Sequence, residues 1–210
     1  MKKRILALIL AVMILVGIVP VTAFAADAAE NNSVSITFAA SDASEGFIFK
    51  PQKITVADGL AEEYGLTNDA SVNGPTFLDV LIAAHIQKYG DAFTKEKISD
   101  YLSVGSSGMI SKAFGKAATS TSFFYNGDMP KDSSGTGYIA NAAVVKEGDI
   151  VEYWFYQDSY WMDYYTFFTQ REKTVSVNQE FELTLKGFMA MNTMAGTTTA
   201  APASAPVNAT

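Results

Sequence analysis

The 210 residues carry 15 Lys and Arg against 22 Asp and Glu, a formal net charge of −7, with a single histidine and no cysteine. An acidic chain lacks the excess of Lys and Arg that neutralises phosphate, which argues against nucleic acid and anionic lipid as partners. The absence of cysteine removes disulfides, thiolate zinc ligands and thiol nucleophiles, so the fold has to be held by its core alone.

The chain opens with Met1-Lys2-Lys3-Arg4, runs apolar from Ile5 to Val21 and reaches Ala23-Phe24-Ala25, the pattern of a secretory signal peptide over 1–25. Pro20 and the small residues Ala23 and Ala25 mark a peptidase site and argue against an uncleaved membrane anchor. Cleavage would remove three positive charges and no negative one, moving the net charge from −7 to −10. The expectation is a secreted or cell-surface protein with no integral membrane segment after cleavage. Its lack of disulfides suits a bacterial envelope.

After a short linker over 26–32, one α+β domain is expected over 33–188. Val34, Ile36 and Phe38 alternate with Ser35 and Thr37, the period of a half-buried strand, and Phe47 to Val56 follows the turn-forming 41–46, giving a hairpin. Pro51 marks that second strand as an edge or a bulge. Thr76 with Asp79 forms a capping box, and Leu78, Leu81, Ile82, His85 and Tyr89 recur at helical spacing up to Gly90, so a helix should lie across the sheet. A shorter helix is predicted from Lys95 to Tyr101 with Thr94 as its cap. Strands are predicted over 108–114, 122–125, 150–157 and 181–185, with tight turns at Asn126-Gly127 and Gly148-Asp149 and a Ser/Gly-rich loop over 131–138. Strand, strand, helix and then several strands, without a repeating βαβ unit, gives an α+β class with a mixed sheet and one main helix on one face. The Thr/Ala/Pro-rich segment 189–210 is expected to be a disordered tail.

Ten of the 26 aromatic residues fall between Tyr153 and Phe168. Successive strand side chains point to opposite faces, so adjacent Tyr153, Trp154, Phe155 and Tyr156 cannot share one core. The remaining rings line a second buried layer, a groove or the surface. Aromatics at 160, 161, 164, 165 and 168 are spaced like a helical turn or two, folding back over the strand. Phe124, Tyr125, Tyr138, Trp154, Tyr156, Tyr160 and Trp161 are the candidate ligand-binding residues, with the site at the seam between strand and fold-back.

Catalytic signals are thin. His85 lies on the apolar stripe of the helix, where a structural role is expected, and no G-x-S-x-G elbow surrounds Ser106 or Ser107. Asp158 and Asp163 sit inside the aromatic segment, and a glycosidase would need them to face a cleft as an acid pair. Asp128, Asp132, Asp158 and Asp163 lack the spacing of a calcium loop, so no metal and no cofactor is assigned.

Gly74-x-Thr76-x-x-Asp79-x-Leu81, the aromatic strand ending in Asn126-Gly127, and Gly148-Asp149-x-Val151-Glu152-Tyr153 resemble the DUF4430-type domain, which is similar to the C-terminal β-domain of transcobalamin and intrinsic factor. The resemblance covers roughly 34–157 and implies a β-grasp-like fold, which in the transcobalamins closes over one face of cobalamin. Here the partner α/α-barrel is absent, 159–187 extends past the usual end, and Phe123-Phe124-Tyr125 stands where a Trp often precedes the Asn-Gly turn. The functional expectation is a non-catalytic exported binding module taking a small molecule such as a corrinoid, or a glycan. The alternative is a structural or adhesive domain whose partner is a surface protein.

Overall fold

The computed structural model describes residues 32–133, 137–157, 164–170 and 173–189. The expected signal peptide and nearly all of the expected tail lie outside these residues, as do Asp158, Tyr160, Trp161 and Asp163.

Strands β1 (Ser33–Asp42) and β2 (Gly46–Ala57) form the predicted antiparallel hairpin. The main sheet is completed by β6 (Thr121–Tyr125) and β7 (Ile150–Phe155), in the order β2-β1-β7-β6, with β7 parallel to β1 and antiparallel to β6. A hairpin, a helix and a second strand pair, with the first and last strands parallel at the centre, is the β-grasp arrangement. The fold is therefore α+β with a mixed sheet and one main helix. Pro51 sits where the register of β1 and β2 shifts, between the pairs Phe38↔Gln52 and Ala40↔Phe49, and β2 is also a sheet edge. Pro lacks an N–H for the ladder, so both positions suit it.

Short helix α1 (Leu60–Glu63) leads to the main helix α2 (Phe77–Tyr89). The capping box is present: Thr76 Oγ1 accepts from the Leu78 N–H, and Asp79 Oδ2 accepts from the Thr76 N–H at 2.7 Å. Asp79 also accepts from the Ala61 N–H at 2.7 Å and from Asn68 Nδ2 at 2.9 Å, so one buried carboxylate ties the helix start to α1 and its following loop. The Phe77 and Leu78 N–H groups, free in the first turn of any helix, donate to Ala143 O and Ala140 O. The sequence pattern shows a single apolar stripe, yet every residue from Phe77 to His85 is buried. The difference arises because α1, the loop at Ala140–Val145 and a second small sheet sheath the helix away from the main sheet.

That second sheet consists of β3 (Ser103–Val104), β4 (Ile110–Ala113) and β5 (Lys116–Ala117), following a 3-10 turn at Lys95–Lys97 and the short helix α3 (Ile98–Tyr101). Thr94 occupies the predicted cap position without a side-chain hydrogen bond. Phe114 and Gly115 link β4 to β5, with φ of 53° and 76°. Positive φ at both central positions is the turn that matches strand twist, and a Phe in the left-handed region costs about 1 kcal/mol. His85 holds it there: Nε2 accepts from the Phe114 N–H at 2.9 Å, and the two rings stack with centroids 4.3 Å apart.

The Asn126-Gly127 turn forms with φ of 54° and 87°, but it closes on Asp128 and not directly on the next strand. Asn126 instead grips the other predicted turn, donating to Asp149 Oδ1 at 2.8 Å and accepting from the Ile150 N–H at 2.9 Å.

Strands β8 (Tyr164–Phe168) and β9 (Leu185–Met189) make an antiparallel pair. The helical spacing of aromatics over 160–168 thus gives way to a strand over its described part. Thr166, Phe167 and Phe168 are β-branched or aromatic and pair with Gly187, Lys186 and Leu185, so ladder bonds and a half-covered face outweigh the local spacing. The last predicted strand likewise begins at Leu185, four residues later than Phe181.

Candidate functional site

Along β7, Val151, Tyr153 and Phe155 are buried on the helix side, where Tyr153 meets Phe77 at 5.4 Å between centroids. Glu152 and Trp154 point to the opposite face. Their cross-strand neighbours on β6 repeat the division: Phe123 pairs with Tyr153, and Phe124 with Glu152.

Five of the seven candidate residues lie within the described residues, and the structure distributes them over both faces. Phe124 is fully buried on the outer face, where the Tyr165 ring stacks on it with centroids 3.7 Å apart. Trp154 meets the same Tyr165 edge-on at 6.4 Å, and Phe167 stacks on Tyr165 at 5.4 Å. Tyr165 also donates its hydroxyl to Glu152. Tyr156 is buried just beyond β7, with its N–H on Ser120 O. Tyr125 lies on the helix side and donates its hydroxyl to Ala143 O at 2.9 Å. Tyr138 is exposed. Tyr160 and Trp161 lie outside the described residues. Over its described part, the seam between β7 and the C-terminal strands is a packed second core built on Phe124 and Tyr165.

A cleft of about 640 Å³ opens instead on the other side of β6. It is bounded by Gly108–Ser111, by Ala118 and Thr119 after β5, by Thr121–Phe123, by Met129 and by Gly137–Ala140, with Tyr153 also contributing. Met109, Tyr138 and Ile139 are large apolar residues left exposed there, at 68%, 38% and 46%. The volume falls within the range of roughly 300–1,000 Å³ usual for ligand sites. Its polar groups are hydroxyls and backbone amides. Ser111 donates to Ser103 O, and Tyr153 donates to Thr121 Oγ1 at 3.0 Å. Burial pushes the Tyr153 hydroxyl well above its usual range, so it stays protonated at any physiological pH. Among the described residues no Asp, Glu, Lys, Arg or His lines the cleft. The arrangement can hold a neutral molecule by apolar contact and hydrogen bonding; its described lining offers no general acid or base.

Of the five candidates among the described residues only Tyr138 lines this cleft; Met109, Ile110, Thr119, Thr121, Phe123 and Ile139 were not anticipated. One signal was present in the sequence: Met109 directly follows Gly108 and Ile139 lies two residues after Gly137, which puts both large apolar side chains in glycine-containing loops.

His85 belongs to the structural frame. It is fully buried, its Nδ1 lies 2.6 Å from Leu81 O and must donate there, and its Nε2 accepts from Phe114. Burial pushes its pKa down from 6.5 to about 4. Among the described residues no group of acidic, His or Cys side chains is placed to hold a metal ion, and no helix is long and apolar enough to cross a membrane.

Comparison of the chain with protein-family models, with curated proteins and with solved structures finds no match.

Proposed function

We propose that the chain is an exported, non-catalytic binding module related to the DUF4430-type domains, and that it takes a neutral ligand in the cleft beside β6. The observation that carries this reading is the cleft itself: about 640 Å³, with a described lining of apolar side chains, hydroxyls and backbone amides and no charge. An uncharged lining on a chain of net charge −7 is selective, because a charged ligand would lose its hydration there without gaining a counter-charge. Support for the family relation comes from the strand order β2-β1-β7-β6 and from the contact between two of the motifs that carry the resemblance, Asn126-Gly127 and Gly148-Asp149. Export follows from the leader pattern over 1–25.

The test is calorimetric titration of the purified chain with a panel of neutral ligands: cobalamin, neutral oligosaccharides and capped peptides. Each is repeated on Thr119→Trp, which places an indole at the mouth of the cleft from an exposed position. The expected result is that at least one class binds the native chain and fails to bind the variant, with the two proteins unfolding at the same temperature. Binding that survives Thr119→Trp, or no binding by any class, would overturn the reading.

A further inference from the structure

We propose that the occupant of this cleft is an extended, uncharged polypeptide segment that adds to the free edge of β6 as a further strand; the inference rests on the cleft being the binding site. The two edges of the main sheet are treated differently. On β2, Lys50, Pro51, Gln52 and Lys53 are exposed in succession, the register shifts there, and Lys88 Nζ reaches across to donate to Ile48 O at 2.7 Å. Charge, proline and a register shift are devices that stop an edge from pairing with another chain. The opposite edge, Thr121-Ser122-Phe123-Phe124-Tyr125, carries none of them.

The ladder shows which of its backbone groups are free. Tyr156 N–H donates to Ser120 O at 3.0 Å and Asn126 N–H donates to Ile150 O at 2.8 Å. In an antiparallel pair alternate residues bond to the neighbour, so Ser122 and Phe124 face β7 while Thr121, Phe123 and Tyr125 turn their N–H and C=O groups outward. Tyr125 is closed off by its mutual bonds with Asp128. Among the described residues nothing pairs with the outward groups of Thr121 and Phe123, and both residues line the cleft.

A compact ligand could fill an apolar space of this size, but it makes no use of alternating donors and acceptors at strand spacing. An extended peptide does, since main-chain hydrogen bonds supply affinity in strand addition and the pockets beside the edge select alternate side chains. Those entering here would meet Ile110, Ala118, Phe123 and Ala140, which suits small or branched apolar residues. The described lining has no charge to pair with a charged side chain, which makes the segment neutral.

The experiment is residue-resolved amide hydrogen exchange on the full chain. The probe is a capped peptide alternating Thr and Val, about six residues long, the usual length of a strand. The control is the same peptide with N-methyl groups on the amides that would pair with β6. In the free protein the Thr121 and Phe123 amides should exchange fast while those of Ser122 and Phe124 are protected. At a probe concentration about 100 times its Kd, exchange at Thr121 and Phe123 should slow about 100-fold, and the methylated peptide should leave it unchanged. Peptide binding without protection at these two amides overturns strand addition. So does binding of cobalamin or an oligosaccharide alone in a manner blocked by Thr119→Trp, a result that leaves the neutral cleft standing. Concentration-dependent protection without any peptide would show a second copy of the chain on the edge and would also overturn the proposal. Failure of every probe at the cleft removes the binding-site reading itself.

Discussion

Acidification of the medium should expose the role of His85. This is the chain's single histidine, and its neutral form is fixed by two bonds: Nδ1–H to Leu81 O, and Phe114 N–H to Nε2. A proton on Nε2 would turn an acceptor into a donor facing an N–H group, within a site packed by Phe93, Phe114 and Tyr89. Burial lowers the folded-state pKa from 6.5 to about 4. Between those values the unfolded chain binds the proton and the folded chain does not, so stability is fully present above about 6.5 and is lost as pH falls toward 4. Each unit corresponds to about 1.4 kcal/mol, so the descent from neutral pH to 4 should cost about 3 kcal/mol through this one side chain. The assay is urea unfolding from pH 7 to pH 4, comparing the native chain with His85→Gln. The amide carries no titratable proton, yet it can accept from Phe114. At neutral pH the variant should be less stable by about 1–3 kcal/mol, and its curve should be flatter so that the difference narrows toward pH 4. Parallel curves, or a folded-state imidazole that titrates near 6.5 by NMR, would refute the argument.

Asp79→Ala should cost about 2–4 kcal/mol in chemical denaturation, because it removes the helix cap and leaves the buried Ala61 and Thr76 N–H groups without their acceptor. An unfolding free energy within experimental error of the native value would show that these bonds are replaced by other contacts. Gly127→Ala should destabilise by about 1–3 kcal/mol, since its φ is +87° and the new Cβ would lie 2.5 Å from Phe167 Cε2. Tyr165→Ala should lose the stack on Phe124 and release the C-terminal strands, read as protease cleavage within 169–184 while the body to Phe155 stays resistant. Equal resistance of native and variant chains would show that other contacts hold β8 and β9. Thr119→Trp, as set out above, should abolish ligand binding while changing stability by no more than about 0.5 kcal/mol.

The adjacent rings of Tyr153 to Tyr156 show how far local sequence reaches. Alternation along a strand requires them to occupy two faces, and the structure has both: Phe77 covers one side and Tyr165 the other. What covers the second face could not be read locally. Aromatics at helical spacing suggested a helix, whereas pairing with β9 makes Tyr164, Tyr165 and Phe168 part of a strand, and only long-range ladder bonds favour that outcome.

The sequence by itself determined the elements whose causes are local. Alternating Val34, Ile36 and Phe38 made a strand, the Thr76 and Asp79 cap started a helix, and the Asn126-Gly127 pair placed a turn at positive φ, each through contacts within a few residues. The class followed from their order. The tertiary structure decided which surfaces close and which stay open. Phe124 and Trp154 read as binding residues in isolation, but Tyr165, 41 residues after Phe124, stacks on the first ring and meets the second. The cleft, in turn, draws on loops near residues 109, 119 and 138 that come together only because β6 pairs with β7 and the Ala140–Val145 loop is pinned to the helix start. A concave site is a relation among distant segments, and no local pattern encodes the space between them.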